Sequence, residues 1–259
     1  MEKTNCNIIS HRGLCKTTPD GDRKGENTIE AYDLGLKKLK SLGYPPAIEF
    51  DVRQTKDGVP VIMHDETIDR TTNGSGRVMD FTVPELKKFD AGYGRKIPLL
   101  SEVFAAFKNT GVIFHVELEE NGLVEIVKQT ILNENVQNQV IVSAFDGDDA
   151  GPLYKHTEYF VSWDDLFEIG KYFPIALLTT EKKIQRLGGV DKYIETAVEA
   201  GAIAIVPQDI SVTKELVTKA HKSKLIVNTW TVNDPKVFIK LERMGVDGVF
   251  CDNPSFLCF

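Results

Sequence analysis

Several features common in membrane and exported proteins are absent from the sequence. No run of about 18 uncharged apolar residues occurs, so no segment is predicted to span a membrane. The opening stretch, MEKTNCNIISHRG, has no long apolar core of the signal-peptide type. A cytosolic location is therefore expected.

Cysteine is scarce, with four residues in 259, and none of them has CxxC spacing. A zinc knuckle is therefore not predicted. In the barrel predicted below, Cys15 and Cys251 would lie at one end, and Cys6 and Cys258 at the other. Pairing at either end stays open, although free thiols are the expectation for a reducing compartment.

An excess of positive charge is also missing. The formal net charge is −7, so no overall basic field would attract nucleic acid or an anionic membrane. The acidic excess identifies no partner by itself, and the oligomeric state stays open. A bound metal ion would reverse the local sign and could recruit an anionic substrate.

What the sequence does contain is an alternation of short β-branched runs and longer amphipathic segments, which indicates repeated βα units. The length of 259 residues and the hydrophobic content of 42% match one α/β domain with a (β/α)8 TIM-barrel fold. The eight predicted strands are residues 7–10, 47–51, 112–118, 140–143, 174–178, 202–206, 225–230 and 247–250.

Helices are predicted between these strands. One spans residues 28–42, with Asn27 as its N-cap. Others span residues 190–200 and 213–222. The last spans Pro235–Met244 and starts with a capping residue followed by proline, which is a good start signal.

One connection is too long for a single βα unit. Residues 52–100 contain Asp57-Gly58, a hairpin turn signal. We predict that they form a small inserted subdomain over the barrel mouth, within a single domain of residues 1–259. Residues 146–173 are also long, and no helix is assigned there.

Two carboxylates close the second predicted strand. Glu49 and Asp51 are two residues apart, so both side chains lie on one side of the strand. Catalytic groups of such barrels gather at the C-terminal ends of the strands. A single acid there is commonly just solvated. Two inward carboxylates would repel each other without a cation, and hard oxygen ligands suit Mg²⁺ or Ca²⁺.

Histidines follow two other apolar runs. His11 and Arg12 come after the first strand, where an imidazole can move a proton and a guanidinium can bind phosphate oxygens. His64 ends a second run and precedes Asp65. A His-Asp pair alone is most simply a hydrogen-bonded turn. Two histidines at strand exits beside a carboxylate pair favour general acid–base catalysis.

The third predicted strand carries His115, Glu117 and Glu119 on one face. Glu117 is the third candidate metal carboxylate, whereas His115 lies deeper and is expected to be a hydrogen-bonded core residue. Trp230 ends the seventh predicted strand. It could form an aromatic wall for the apolar part of a ligand, or it could be an ordinary packing residue.

Together these residues resemble the glycerophosphodiester phosphodiesterase family across almost the whole chain. The matching blocks occur in the family order, which makes the resemblance specific. They are His11-Arg12-Gly13, Glu26-Asn27-Thr28, Glu49-Phe50-Asp51-Val52, Thr55-Lys56-Asp57-Gly58, Val61-Ile62-Met63-His64-Asp65, residues 70–76, Trp230-Thr231-Val232-Asn233, and Asp247-Gly248 with Asp252 and Pro254.

The resemblance implies a TIM barrel with a subdomain inserted after the second strand. It also implies one divalent cation, Mg²⁺ or Ca²⁺ with Mn²⁺ as an alternative, bound by Glu49, Asp51 and Glu117. The substrate would be a small glycerophosphodiester. The products would be glycerol 3-phosphate and an alcohol such as choline or ethanolamine.

The same resemblance implies roles for four other residues. His11 and His64 would be the acid–base pair, Arg12 would bind phosphate, and Trp230 would line the alcohol pocket. Which histidine is the acid stays open. The nucleophile also stays open, because either water or the neighbouring glycerol hydroxyl of the substrate could attack.

One position departs from the family pattern. The family usually has Glu-x-Lys on the third strand, with the lysine contacting phosphate, whereas this chain has Glu117-Leu118-Glu119. A contact between two unit charges about 4 Å apart contributes roughly 4 kcal/mol at an effective dielectric near 20. Replacing the lysine by a glutamate reverses the sign of such a contact with phosphate, so its effect is not negligible. A second cation could bind there, Glu119 could turn toward Arg12 or another base, or activity could be weakened.

Three other functions differ from this one in the sequence features that they require. A lysophospholipase D or sphingomyelinase D-like phosphodiesterase would need an apolar mouth wide enough for an acyl chain. A weakened or non-catalytic phosphoester-binding barrel is indicated only by Glu119. A sugar-phosphate isomerase or aldolase would share only the fold, and no glycine-rich phosphate loop follows the later strands.

Overall fold

The computed structural model describes residues 6–14, 16, 21, 25–145 and 163–257. In these ranges one sheet contains eight parallel strands, which close into a barrel because β1 pairs with both β2 and β9, and one antiparallel strand, β3, beside β2. The TIM-barrel fold is therefore confirmed. The strands are β1 Asn7–His11, β2 Ala47–Gln54, β3 Pro60–Ile62, β4 Ile113–Leu118, β5 Val140–Phe145, β6 Ile175–Thr179, β7 Ala204–Pro207, β8 Ile226–Thr229 and β9 Gly248–Cys251.

Helices pack around the outside of the barrel, except the short helix Val83–Leu86, whose Leu86 packs in the core of the inserted segment. Among the described residues they are α1 Ile29–Ser41, α2 Val83–Leu86, α3 Leu100–Phe107, α4 Val124–Glu134, α5 Trp163–Gly170, α6 Glu181–Leu187, α7 Val190–Glu199, α8 Lys214–Lys222 and α9 Pro235–Met244. The helix in the segment 146–173, which the sequence did not assign, is α5; residues 146–162 lie outside the described ranges.

Local sequence signals explain where two of these helices begin. At α9, the Asp234 side chain accepts a hydrogen bond from the Lys236 amide, and proline occupies the first turn. At α1 the predicted cap, Asn27, is wrong. The cap is Thr28, whose hydroxyl accepts from the Ala31 amide at 3.3 Å, and Asn27 serves the site described below.

The alternation of side chains along the strands separates two layers of core. Residues that point outward, such as Phe50 and Phe114, pack against the helices; these two rings are 6.1 Å apart. Residues that point inward form a smaller interior cluster. Because Phe50 points outward, its neighbours Glu49 and Asp51 point inward. The interior cluster contains Ile9, Ala47, Ala176, Leu178, Ala204, Val206 and Phe250.

The predicted insertion starts as a hairpin. Strand β2 runs to Gln54, beyond its predicted end, and β3 returns antiparallel to it, with Val52 opposite Ile62. Gly58 turns the chain with φ of +76°. A separate small hydrophobic core follows within this segment. This core contains Val61, Met63, Ile68, Val78, Leu86, Ala91 and Ile97.

Two cysteines fall in the described ranges, Cys6 and Cys251, and both side chains are buried. Their predicted neighbours, Cys258 for Cys6 and Cys15 for Cys251, lie outside the described residues. No helix in the described part of the chain is long and apolar enough to cross a membrane.

Candidate active site

Three carboxylates meet at the C-terminal end of the barrel. Glu49 and Asp51 lie on β2, and Glu117 lies on the adjacent strand β4, where it is the register partner of Asp51. One oxygen from each side chain lies within 4.8 Å of the other two. All three residues are buried, so the parallel register brings together the carboxylates that the sequence singled out.

Two oxygens of this cluster have no hydrogen-bond donor within the described ranges. They are Glu49 Oε1 and Asp51 Oδ1, both in fully or nearly fully buried side chains. Buried oxygens without donors are costly, and three adjacent carboxylates repel one another. A divalent cation satisfies both needs at once, and an all-oxygen set suits Mg²⁺ or Ca²⁺. The residues present therefore fit a metal ion.

Burial and mutual repulsion shift the acidity of these groups. Burial, followed by the charge of Asp51, raises the pKa of Glu49 well above its ordinary value. Burial and Glu119 do the same to the pKa of Glu117. Burial alone would also raise the pKa of Asp51, but the adjacent Arg12 guanidinium holds it below its usual range.

His11 is the last residue of β1, and its ring is fixed from behind. Its Nδ1 lies 2.7 Å from Asp252 Oδ1, and its Nε2 lies 3.8 Å from Glu49 Oε2. Asp252 is fully buried, and its other oxygen accepts from Asn233 at 2.7 Å and from Lys16 at 3.1 Å. The imidazole therefore presents Nε2 toward the carboxylate cluster.

The ring of His64 is held in the same way, by a carboxylate of the inserted segment. Its Nδ1 lies 2.6 Å from Asp65 Oδ1, and its Nε2 lies 3.8 Å from Glu119 Oε1. Arg70 donates to both oxygens of Asp65, and its Nη2 donates to Glu26 at 2.6 Å. The two histidines therefore form matching His-Asp pairs, each with Nε2 facing a carboxylate of the site.

Arg12 turns the chain at the end of β1, with φ of +55°. Its amide donates to Glu49 Oε2 at 3.1 Å. Its guanidinium Nε lies 3.2 Å from Asp51, and Nη1 lies 3.4 Å from Glu26. The guanidinium is thus held beside the carboxylates by two ion pairs.

Glu119 follows the last residue of β4, and its amide donates to Val52 O at 3.1 Å. Its carboxylate lies 3.4 Å from Arg53 Nη2. Of the three predicted outcomes, the contact with a base is therefore present, although the base is Arg53 rather than Arg12. Burial raises the pKa of Glu119 to about 7, against the opposing charge of His64.

The site contains residues to which the sequence assigned no functional role, and Asn27 and Arg53 are two of them. Asn27 donates to Asp51 Oδ2 at 2.6 Å and accepts from the Tyr32 hydroxyl at 2.7 Å. Arg53 contacts Glu119 and also donates to the His64 main-chain oxygen at 2.8 Å. The predicted strand ends at residue 51, whereas β2 continues to Gln54. With the longer strand, the same two-residue alternation that identified Glu49 and Asp51 would also have identified Arg53.

Two aromatic positions differ in their surroundings. His115 is buried, as predicted, and its ring packs edge to face against Phe250 with centroids 5.2 Å apart; the contacts of the described residues do not include the hydrogen bond that was also predicted for it. Burial lowers the pKa of His115 to about 4. Trp230 is half-buried at the mouth, where it packs against Phe145 at 5.1 Å and donates to Val206 O at 3.1 Å.

The pair formed by His11 and Asp252 leads to a first prediction. Asp252→Asn keeps the size of the side chain but removes the charge that orients and stabilises the His11 ring, so kcat should fall on the order of 10²-fold with little change in KM. Steady-state kinetics measure this. Asp247→Asn is the matched control. The Asp247 carboxylate also contacts a histidine, the exposed His221, at a distance of 2.8 Å, and this pair does not belong to the carboxylate cluster. Equal losses in both variants would contradict the prediction.

Comparison with known proteins identifies the family of this chain. The model of the glycerophosphoryl diester phosphodiesterase family matches residues 11–255. A glycerophosphodiester phosphodiesterase of Caldanaerobacter subterraneus subsp. tengcongensis is 32% identical, over 96% of this chain and 95% of that protein.

Solved structures share the fold. A putative glycerophosphoryl diester phosphodiesterase from Agrobacterium tumefaciens has a TM-score of 0.79 at 22% identity, covering 97% of this chain and 95% of that one. An Oleispira antarctica phosphodiesterase, solved in complex with the product sn-glycerol-3-phosphate, has a TM-score of 0.77 at 21% identity, covering 97% and 94%.

The barrel and its acidic, histidine-flanked mouth define the class of this protein as a (β/α)8-barrel hydrolase of phosphodiesters. Within that class, the chain belongs to the glycerophosphoryl diester phosphodiesterase family.

Proposed function

We propose that this chain hydrolyses glycerophosphodiesters to glycerol 3-phosphate and an alcohol, with one divalent cation held by Glu49, Asp51 and Glu117. One observation carries the proposal: three buried carboxylates converge between two imidazoles, and they leave oxygens without donors in the described part of the site. Family membership and the names of the relatives support the substrate class.

Each group has a distinct task in this proposal. The cation, when bound, neutralises the phosphodiester and stabilises the charge that develops on its oxygens. Arg12 binds a phosphate oxygen through its guanidinium, whose planar donors match that geometry. Glu49, Asp51 and Glu117 remain ionised as ligands.

The two histidines move the protons. One Nε2 removes the proton of the nucleophile, and the other gives a proton to the departing alcohol oxygen. Asp252 behind His11 and Asp65 behind His64 orient the rings and stabilise their protonated forms. Two similar His-Asp pairs on either side of the cluster support this division of labour.

The alcohol of the substrate would lie near Trp230. The indole is half-buried beside Phe145, and both residues lie at the C-terminal ends of strands, so they form an apolar wall at the mouth. This wall suits a small head group such as choline or ethanolamine. The product complex of the Oleispira relative supports glycerol 3-phosphate as the product.

A metal-by-substrate matrix tests the proposed reaction. The chain is dialysed against chelator and assayed with Mg²⁺, Ca²⁺ or Mn²⁺ on glycerophosphocholine, glycerophosphoethanolamine and a lysolipid. We expect activity with at least one cation, loss of activity in chelator, and faster turnover of the small diesters. A preference for the lysolipid would favour the lysophospholipase D alternative. Substrate binding without turnover under every metal would favour a non-catalytic barrel.

A further inference from the structure

A second group of ligand atoms lies beside the proposed cation site. One atom from each of Asp51, His64 and Glu119 lies within 4.8 Å of the other two. Asp51 belongs to both groups, so cations bound to the two groups would be neighbours that share one carboxylate. The second group also differs in chemistry, because it includes an imidazole.

Two buried oxygens of this group have no hydrogen-bond donor among the residues that the structure describes. One is Oδ1 of Asp51, a side chain with no exposed surface, and the other is Oε1 of Glu119. Glu119 Oε1 lies 3.8 Å from His64 Nε2, which is too long for a hydrogen bond. Asp51 Oδ1 and Glu119 Oε1 are therefore oxygens that a bound cation would satisfy.

The charge around the two groups exceeds what one dication neutralises. Three arginines contact this network of acids within the described ranges, and the acids outnumber them by four, so the network carries an excess of negative charge when the acids are ionised as ligands and ion-pair partners. One dication offsets two of these charges, and the substrate phosphodiester then adds another. The arginines are Arg12, Arg53 and Arg70, and the acids are Glu26, Glu49, Asp51, Asp65, Glu117, Glu119 and Glu120.

We propose that Asp51, His64 and Glu119 bind a second divalent cation, of a type that accepts nitrogen as well as oxygen ligands, such as Mn²⁺ or Zn²⁺. Imidazole suits these metals, whereas Mg²⁺ and Ca²⁺ prefer oxygen alone. The inference rests on the proposed function of the first site. Repulsion between adjacent dications that share a carboxylate makes the second cation the weaker one.

Filling the second site has a consequence for catalysis. A His64 nitrogen that is bound to metal cannot also exchange a proton, so the second cation removes one of the two acid–base groups. Turnover therefore rises as Mn²⁺ fills the first site and falls as Mn²⁺ fills the second. With Mg²⁺, which avoids the imidazole site, turnover rises to a plateau.

Mn²⁺ binding to the whole chain tests the second site without relying on activity. Isothermal titration should give two ions per chain for the parent and one for Glu119→Gln and Glu119→Lys. Glu120→Gln is the matched control: Glu120 contacts the same Arg53, at 3.3 Å, and lies outside both groups of ligands. It should retain two ions, and circular dichroism confirms that each variant is folded.

The outcomes separate this inference from the proposed function. One Mn²⁺ per chain in the parent, or equal losses in the Glu119 and Glu120 variants, would overturn the second site and leave the first intact. No tight ion at all would overturn both. Electron paramagnetic resonance of the parent provides an answer that needs no variant. Two bound Mn²⁺ ions this close give a spin-coupled spectrum, whereas only isolated Mn²⁺ signals would reject the second site.

Discussion

Replacing His11 or His64 with alanine is expected to lower kcat by about 10²-fold or more, because each substitution removes one of the two proton-transfer groups. Each ring is held by a carboxylate on Nδ1 and faces the acidic cluster through Nε2. Steady-state kinetics on glycerophosphocholine with saturating Mg²⁺ measure the loss. His221→Ala is the matched control, since His221 lies on the last turn of α8 and is largely exposed.

A change of leaving group then separates the acid from the base. In a nitrophenyl ester of glycerophosphate the leaving group is nitrophenolate, which departs without protonation. The variant that lacks the general acid should therefore recover most of its rate on this substrate. The variant that lacks the base should stay slow on both substrates. Near-parent rates for both alanine variants on glycerophosphocholine would remove the histidines from the mechanism.

Much of this site could be predicted because one rule of geometry covers it. Alternation along β2 places Glu49 and Asp51 on the interior face, and a barrel brings strand ends to one rim. Glu117 follows from the same rule on β4. The rule says nothing about loops, and His64 reaches the cluster only because the hairpin of β2 and β3 folds back over the rim.

Contacts between segments that are far apart in the sequence explain why some residues of the site could not be predicted. Asn27 has a good capping side chain, and local propensity predicts it as the helix cap. The structure uses it instead as a donor to Asp51, a contact across 24 positions of the chain. The contact of Arg70 with Glu26 spans 44 positions. Neither pairing has a periodic signal, so neither could be read from spacing.

The contact between Glu119 and Arg53 shows how the departure from the family pattern is accommodated. A glutamate beside three other buried acids would be strongly unfavourable without a cation. Arg53 lies on the same inward face of β2 as Glu49 and Asp51, and it contacts both Glu119 and Glu120. The charge reversal at this position is therefore balanced in part by the protein itself.

Glu117→Gln is expected to abolish tight metal binding and to lower kcat by roughly 10³-fold, since it removes one of three carboxylate ligands and the stabilisation that the cation supplies. Isothermal titration and steady-state kinetics measure the two losses. Glu125→Gln removes a carboxylate from the exposed surface of α4 and should change neither. Metal-dependent turnover at the parent rate in Glu117→Gln would contradict the proposed ligand set.

The same substitution should stabilise the metal-free protein. The folded-state pKa of Glu117 lies well above its ordinary value of 4.5, because of burial and then of Glu119, so the parent loses stability as pH rises above the unfolded-state value. Glutamine has no such cost. In chelator, the Tm of the variant should match that of the parent near about pH 4 and exceed it by a few degrees at about pH 8. The size of the shift follows because about 1 kcal/mol in the free energy of unfolding corresponds to roughly 2–4 °C in a domain of this size. Added Mg²⁺ should reverse the order, because only the parent gains stability from a bound cation.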